Sequence, residues 1–145
     1  MRILGLDIGE KNIGVAVSDP SGLIAQGLDV IERKNWKKDL QRIRHFLKEY
    51  KVKEIVLGLP RNMDGTLGIK AREILEFKEK IDKAVDVKVT TWDERLTTVA
   101  AQRTLLEADV SRKGRKKVID KLAAVFILEG YLRYKQRTTD KGKDV

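Results

Sequence analysis

Two apolar runs, residues 3–8 and 13–18, are separated only by Gly9-Glu10-Lys11-Asn12, and the first of them carries a carboxylate at Asp7. Runs this short and this close read as neighbouring strands joined by a turn. The first is apolar on both faces, so the sheet it founds needs cover on both sides. A carboxylate inside such a strand is costly, because an unpaired buried charge must be neutralised, paired or bound to a metal. Asp7 therefore predicts chemical partners from distant parts of the chain.

The next elements follow from turn chemistry and periodicity. Asp19-Pro20-Ser21-Gly22 is a turn, and a third strand over 23–31 completes an antiparallel meander. Trp36, Leu40, Ile43, Leu47 and Tyr50 then form one apolar helical stripe, with Asn35 as N-cap. Residues 54–59 read as a buried strand ending in Leu59-Pro60, and 61–68 as a loop holding Asp64-Gly65. A helix over 69–83 turns Ile74, Phe77 and Ile81 inward, and 87–92 alternates as a fifth strand. Helices are expected over 99–108 and 118–134, separated by the loop Ser111-Arg112-Lys113-Gly114-Arg115. The order β-β-β-α-β-α-β-α-α implies a five-stranded mixed sheet, an antiparallel meander plus parallel strands, flanked by helices in an α/β domain. One domain over 1–134 fits a chain of 145 residues, with 135–145 a polar, basic tail expected to fray.

Charge narrows the partners. The net charge is +9 and the pI near 9.8, which favours nucleic acid first and an anionic membrane surface second. Residues 109–145 hold 11 Lys/Arg against 5 Asp/Glu and so supply +6 of the excess. The absence of cysteine excludes disulfides, thiolate metal sites and cysteine nucleophiles, and suits a reducing cytoplasm. No signal peptide is expected ahead of the first strand, and no apolar stretch is long enough to span a bilayer.

In a parallel α/β sheet, sites lie at the carboxyl ends of strands. Asp7 is near the end of the first strand, Asp93-Glu94 directly follows the fifth, and Asp120 lies in a helix apolar on most sides. Three carboxylates about one point repel one another, and one or two Mg²⁺ or Mn²⁺ ions would relieve that repulsion. Two such ions about 3.5–4 Å apart can drive phosphodiester hydrolysis. Plainer readings stand beside this one. Asp93 or Glu94 can pair with Arg95 or cap the next helix, and Asp120 can pair with Lys116, Lys117 or Lys121. The run Arg112, Lys113, Arg115, Lys116 and Lys117, and the loop with Arg61 and Asn62, are candidates for phosphate contacts beside the acids. His45 lies off the apolar stripe of its helix and reads as a surface residue, whereas Trp36 reads as core or helix start. Gly9-x-x-x-x-Gly14 lacks the spacing of either nucleotide-binding fingerprint, and reads as a hairpin.

Several motifs together are recognisable. Leu6-Asp7-Ile8-Gly9 with Lys11, Ile13-Gly14-Val15-Ala16 and Ser18-Asp19 resembles the opening of the YqgF family, also called RuvX. Gly58-Leu59-Pro60 with Asp64-Gly65, then Asp93-Glu94-Arg95-Leu96-Thr97-Thr98 with Ala100, continue the resemblance. Asp120 with Ala123-Ala124, Ile127-Leu128 and Tyr131-Leu132 completes it, so it covers residues 3 to 132. The resemblance implies a ribonuclease-H-like fold similar to the RuvC resolvases, with Asp7, Glu94 and Asp120 as catalytic carboxylates binding Mg²⁺ or Mn²⁺ and Asp93 as the alternative in its dipeptide. Lys11 and Arg95, inside these motifs, join the expected nucleic-acid contacts, while Asn12 departs from the basic residue expected beside Lys11. The family is associated with maturation of the 5′ end of pre-16S ribosomal RNA in the bacterial cytoplasm.

The expected function is thus a metal-dependent endonuclease acting on structured RNA, as a monomer or weak homodimer away from membranes. A Holliday junction resolvase shares the chemistry and differs in substrate, and a basic binding module without useful catalysis is the non-enzymatic alternative. An actin-like ATPase would need a second such domain, which 145 residues do not supply.

Overall fold

The computed structural model describes residues 1–96 and 112–143, with side chains for residues 1–95 and 117–138. Among them the elements are β1 (Arg2–Ile8), β2 (Asn12–Ser18), β3 (Ala25–Glu32), α1 (Trp36–Glu49), β4 (Val52–Leu59), α2 (Ile69–Ala84), β5 (Lys88–Asp93), a 3-10 turn (Glu94–Leu96) and α3 (Arg112–Lys143). The helix expected over 99–108, with Thr97, Thr98 and Ala100, lies outside the described residues.

The five strands form one sheet in the order β3-β2-β1-β4-β5. β1 is central, antiparallel to β2 (Leu6 opposite Val15) and parallel to β4 (Leu6 opposite Leu57). Because successive side chains alternate faces, β1 divides its residues between two cores. Leu4, Leu6 and Ile8 join Ile13, Val15, Ile55 and Leu57 against Ile43 and Phe46 of α1 and Ile74, Phe77 and Ile81 of α2. On the other face Ile3, Ala16, Val56 and Trp92 pack against Ala124, Ile127, Leu128 and Tyr131 of α3. Asp7 has the parity of Ile3 and therefore belongs to the α3 face.

Local signals explain where elements begin. Asn35 caps α1, its side chain accepting from Lys38 N at 2.9 Å, a contact whose loss typically costs about 1 kcal/mol. The carboxylate of Asp19 closes the turn after β2, accepting from Leu23 N at 2.8 Å and Ile24 N at 2.9 Å. The Ser21 hydroxyl contributes most to lowering that carboxyl to about 2. Because residues 23 and 24 serve this turn, β3 starts at Ala25 rather than at 23.

Two helix boundaries differ from expectation. α3 is already helical at Arg112, so the basic segment 112–115, expected as a loop, is its first turn. Arg and Lys are good helix formers and Gly114 alone costs about 1 kcal/mol; a run with no apolar periodicity concealed the helix. The far end runs on to Lys143, and Lys135 in that extension has a structural task. Its amine lies 2.6 Å from Oε1 of Glu54, a β4 carboxylate only 2% exposed. Glu54 Oε2 also accepts from Thr90 Oγ1 at 3.0 Å and from the Tyr131 hydroxyl. Burial raises the Glu54 carboxyl, but the hydrogen bonds from Lys135, Tyr131 and Thr90 together outweigh it and leave it below the ordinary glutamate value. The cluster fastens α3 to β4 and β5.

Candidate functional site

Asp7 is 5% exposed near the carboxyl end of β1. Glycines stand near it on both neighbouring strands. It pairs with Gly14 in the antiparallel ladder, and Gly58 directly follows Leu57, the β4 partner of Leu6. At each glycine another acidic residue approaches. A methyl group at Gly14 would overlap the carbonyl oxygen of Asp120, so the α3 backbone rests directly on β2. A methyl at Gly58 would stand 2.6 Å from Glu94 Oε1 and overlap Ile127 Cδ1. The side chains absent at Gly14 and Gly58 thus admit the Asp120 turn of α3 at the first and the Glu94 carboxylate at the second.

Asp120 is half-buried and accepts from Asn12 Nδ2 at 3.3 Å through Oδ2. Glu94 is half-buried in the 3-10 turn after β5. Asp93 follows the plainer reading, being held by Arg95 through Nη2 at 2.7 Å, Nε at 3.1 Å and the backbone N–H at 3.0 Å. The Arg95 hydrogen bonds hold the Asp93 carboxyl below its ordinary range, and Asp93 in turn raises the guanidinium. Of the dipeptide, Glu94 is therefore the member that faces Gly58.

Asp7, Glu94 and Asp120 each engage other protein groups, and among the described residues no three His, Cys, Asp or Glu side chains are arranged as a metal-holding group. The donor chemistry nonetheless suits one ion type. Oxygen-only carboxylate ligands favour Mg²⁺ or Mn²⁺, and the space occupied by Glu94 Oε1 is a cradle that any side chain at position 58 would fill.

The expected nucleic-acid contacts divide. Lys11, Arg61, Asn62 and Arg95 are exposed, but Asn62 closes its own loop by donating to Thr66 Oγ1 at 2.9 Å. Arg95 belongs to the Asp93 pair. Lys117 lies 3.1 Å from Glu32. The side chains of Arg112, Lys113, Arg115 and Lys116 lie outside the described residues. His45 is on the surface, 2.8 Å from Glu49, and Trp36 packs edge-on against Phe77 at 5.4 Å, at the rim of the core.

Sequence reasoning missed two contributions here. Gly9 does serve the hairpin, donating its N–H to Asn12 O at 2.9 Å. Gly14, read the same way, is instead inside β2 and makes room for α3. Asn12 looked like a turn residue, and its side chain serves Asp120. The available signal was a glycine beside the charged strand at a position where a strand ordinarily prefers a packed side chain.

Solved structures share this architecture. Thermus thermophilus RuvC in complex with a Holliday junction substrate superposes with a TM-score of 0.59 at 15% identity, covering 94% of this chain and 96% of that one. The yeast mitochondrial Holliday junction resolvase gives 0.54 at 13%, covering 95% and 80%. The fold is therefore ribonuclease-H-like, of the RuvC type. Proteins named "Putative pre-16S rRNA nuclease" are 54% identical over 132 residues in Desulforamulus reducens and 56% over 133 in Thermoanaerobacter pseudethanolicus, each covering 91% of this chain and 96% of the relative. The family model for RuvX, described as Holliday junction resolvase, matches residues 1–134, and the chain belongs to that family.

Proposed function

We propose that this chain is a metal-dependent endonuclease that hydrolyses phosphodiester bonds in RNA, maturing the 5′ end of pre-16S ribosomal RNA in the bacterial cytoplasm. The packing of the Asp120 turn of α3 on Gly14, which pairs with Asp7, and of the Glu94 carboxylate on Gly58 supports this reading. The names of relatives more than half identical support the substrate. Among the described residues no helix is long and apolar enough to cross a membrane, which agrees with action on a soluble partner.

Asp7, Glu94 and Asp120 would hold one or two Mg²⁺ or Mn²⁺ ions. When bound, such ions supply charge neutralisation and Lewis-acid polarisation of the phosphoryl group. Burial of Asp7 at a strand end keeps its carboxylate in one position, because the backbone on both sides is locked in the ladder. Asn12 restrains Asp120 by its amide, and the 3-10 turn restrains Glu94. Arg95, tethered by Asp93 and 3.5 Å from Met63 O, ties the loop with exposed Arg61 to the same end of the sheet. Exposed Arg61 is thereby offered to the phosphates of a scissile strand.

A four-way DNA junction is the second reading, favoured by the RuvX family description and by the RuvC-type fold. One assay separates the two: purified protein with Mg²⁺ or Mn²⁺ is given precursor ribosomal RNA and a four-way junction in parallel, each with an EDTA control. Metal-dependent cleavage of the RNA alone is expected. Cleavage of the junction alone would reverse the substrate assignment, and cleavage surviving EDTA would remove the metal.

A further inference from the structure

Two grooves open near the end of the sheet that carries Asp7, and Lys34 and the buried Asp39 line both. In the larger, of about 830 Å³, Glu10, Glu73 and Glu76 offset Arg33, Lys70 and Lys80. It offers a polyanion no net attraction. The smaller, of about 540 Å³, runs over the edge strand β3 and is lined by Lys34, Lys38, Arg42 and Lys117 against Glu32 and Asp39. Asp39 is spent internally, accepting from Lys34 N at 3.0 Å and facing Arg33 Nε at 3.8 Å. Glu32 is answered by Lys117, and Arg42 by Asp29 at 2.9 Å. Lys34 and Lys38 are exposed, and among the described residues no carboxylate pairs with either side chain.

Three further observations give this surplus a direction. Lys38 and Arg42 stand one turn apart on α1 and line the same stretch of the groove, Arg42 engaged by Asp29 and Lys38 left exposed. The amino end of α1, capped by Asn35, opens beside Lys34 and Lys38 and adds its partial positive charge. Glu32 pairs in the sheet with Asn12, the residue that bonds Asp120, and Lys117 lies one turn before Asp120 on α3. The groove therefore begins beside the candidate site and leads away from it.

We infer that the groove over the β3 edge, lined by Lys34, Lys38, Arg42 and Lys117, holds the phosphodiester backbone of the substrate as it leaves the Asp7–Asp120 end of the sheet. This rests on the nucleic-acid reading above and adds the path. The flank it holds is either a single strand or a duplex, and the two probes below separate them.

The test measures binding by fluorescence anisotropy across a salt series, in EDTA so that no cleavage is needed. The probes are a labelled single-stranded RNA and a labelled DNA duplex, and Lys34→Ala/Lys38→Ala is compared with Lys70→Ala/Lys80→Ala from the neutral groove. Loss of two phosphate contacts should lower the log–log salt slope by about 1.4 on the single strand or about 1.8 on the duplex, with the second variant unchanged. The probe that shows the loss identifies the flank. An unchanged slope for Lys34→Ala/Lys38→Ala on both probes, or a larger loss for Lys70→Ala/Lys80→Ala, overturns the path while leaving the nuclease reading intact. A wild-type protein that binds neither probe overturns both.

Discussion

Asp7 would be an expensive residue in a central strand if its surroundings were ordinary, yet two nearby positions on the neighbouring strands have no side chains, and the consequences differ between them. At Gly14 the obstacle to a methyl group is backbone, the Asp120 carbonyl, which cannot move without shifting α3. Gly14→Ala should cost about 1–3 kcal/mol, the range for overpacking a filled interior, read by urea denaturation. At Gly58 the obstacles are the ends of two side chains, Ile127 and Glu94. Gly58→Ala should cost less stability but impair cleavage, because the methyl takes the place of the Glu94 carboxylate. A Gly58→Ala protein with full activity would mean that Glu94 is not needed where it stands. Asn12→Ala should weaken Mn²⁺ binding roughly 10-fold, as loss of a group orienting a metal ligand commonly does, measured by calorimetric titration.

Helix α3 carries Asp120, and its position depends on the buried cluster that Tyr131 and Lys135 form with Glu54 further along the helix. Lys135→Met would leave the Glu54 carboxylate with only the Thr90 and Tyr131 hydroxyls, and should cost about 1–3 kcal/mol, the range for a buried polar group that loses a partner. Glu54→Gln should cost less, since the Lys135 side chain is 34% exposed and can turn to water. The pH dependence has a fixed sign. The folded-state carboxyl lies below its ordinary value of 4.5, so its stabilisation is complete above that value and is lost as pH falls beneath it. Urea midpoints measured downward from pH 6 should therefore fall in the wild type and fall less in Glu54→Gln; parallel curves would remove Glu54 from the account. This cluster was invisible in the sequence, because the buried strand read over 54–59 does not say what meets Glu54; the β4–β5 register brings Thr90, and the packing of α3 brings Tyr131 and Lys135. The meander, α1 with its Asn35 cap, and α2 were legible because their apolar periods are unbroken. The amino end of α3 was not, because helical Lys and Arg leave no apolar stripe to read. Asp7 and Asp120 were legible as charges among apolar neighbours, whereas Asn12, Gly14 and Gly58 acquire their meaning only from contacts across more than thirty residues.

The sheet is covered on one face by α1 and α2 and on the other by α3, which leaves chemistry to the open end where β1 and β4 finish. Asp7 lies near that end of β1 and Glu94 directly follows β5, within a chain of net charge +9. Association with RNA should be strongly salt-dependent and weakly sequence-specific, so the substrate would be selected by shape and by the path of its backbone more than by base contacts. The Asp7→Asn protein tests the central claim most directly, since the amide keeps the size of the side chain and removes its charge. Cleavage of precursor ribosomal RNA and binding of the same RNA are measured side by side in Mn²⁺. The predicted result is cleavage lost to background with RNA affinity retained; cleavage at the wild-type rate would contradict a metal-dependent site built on Asp7.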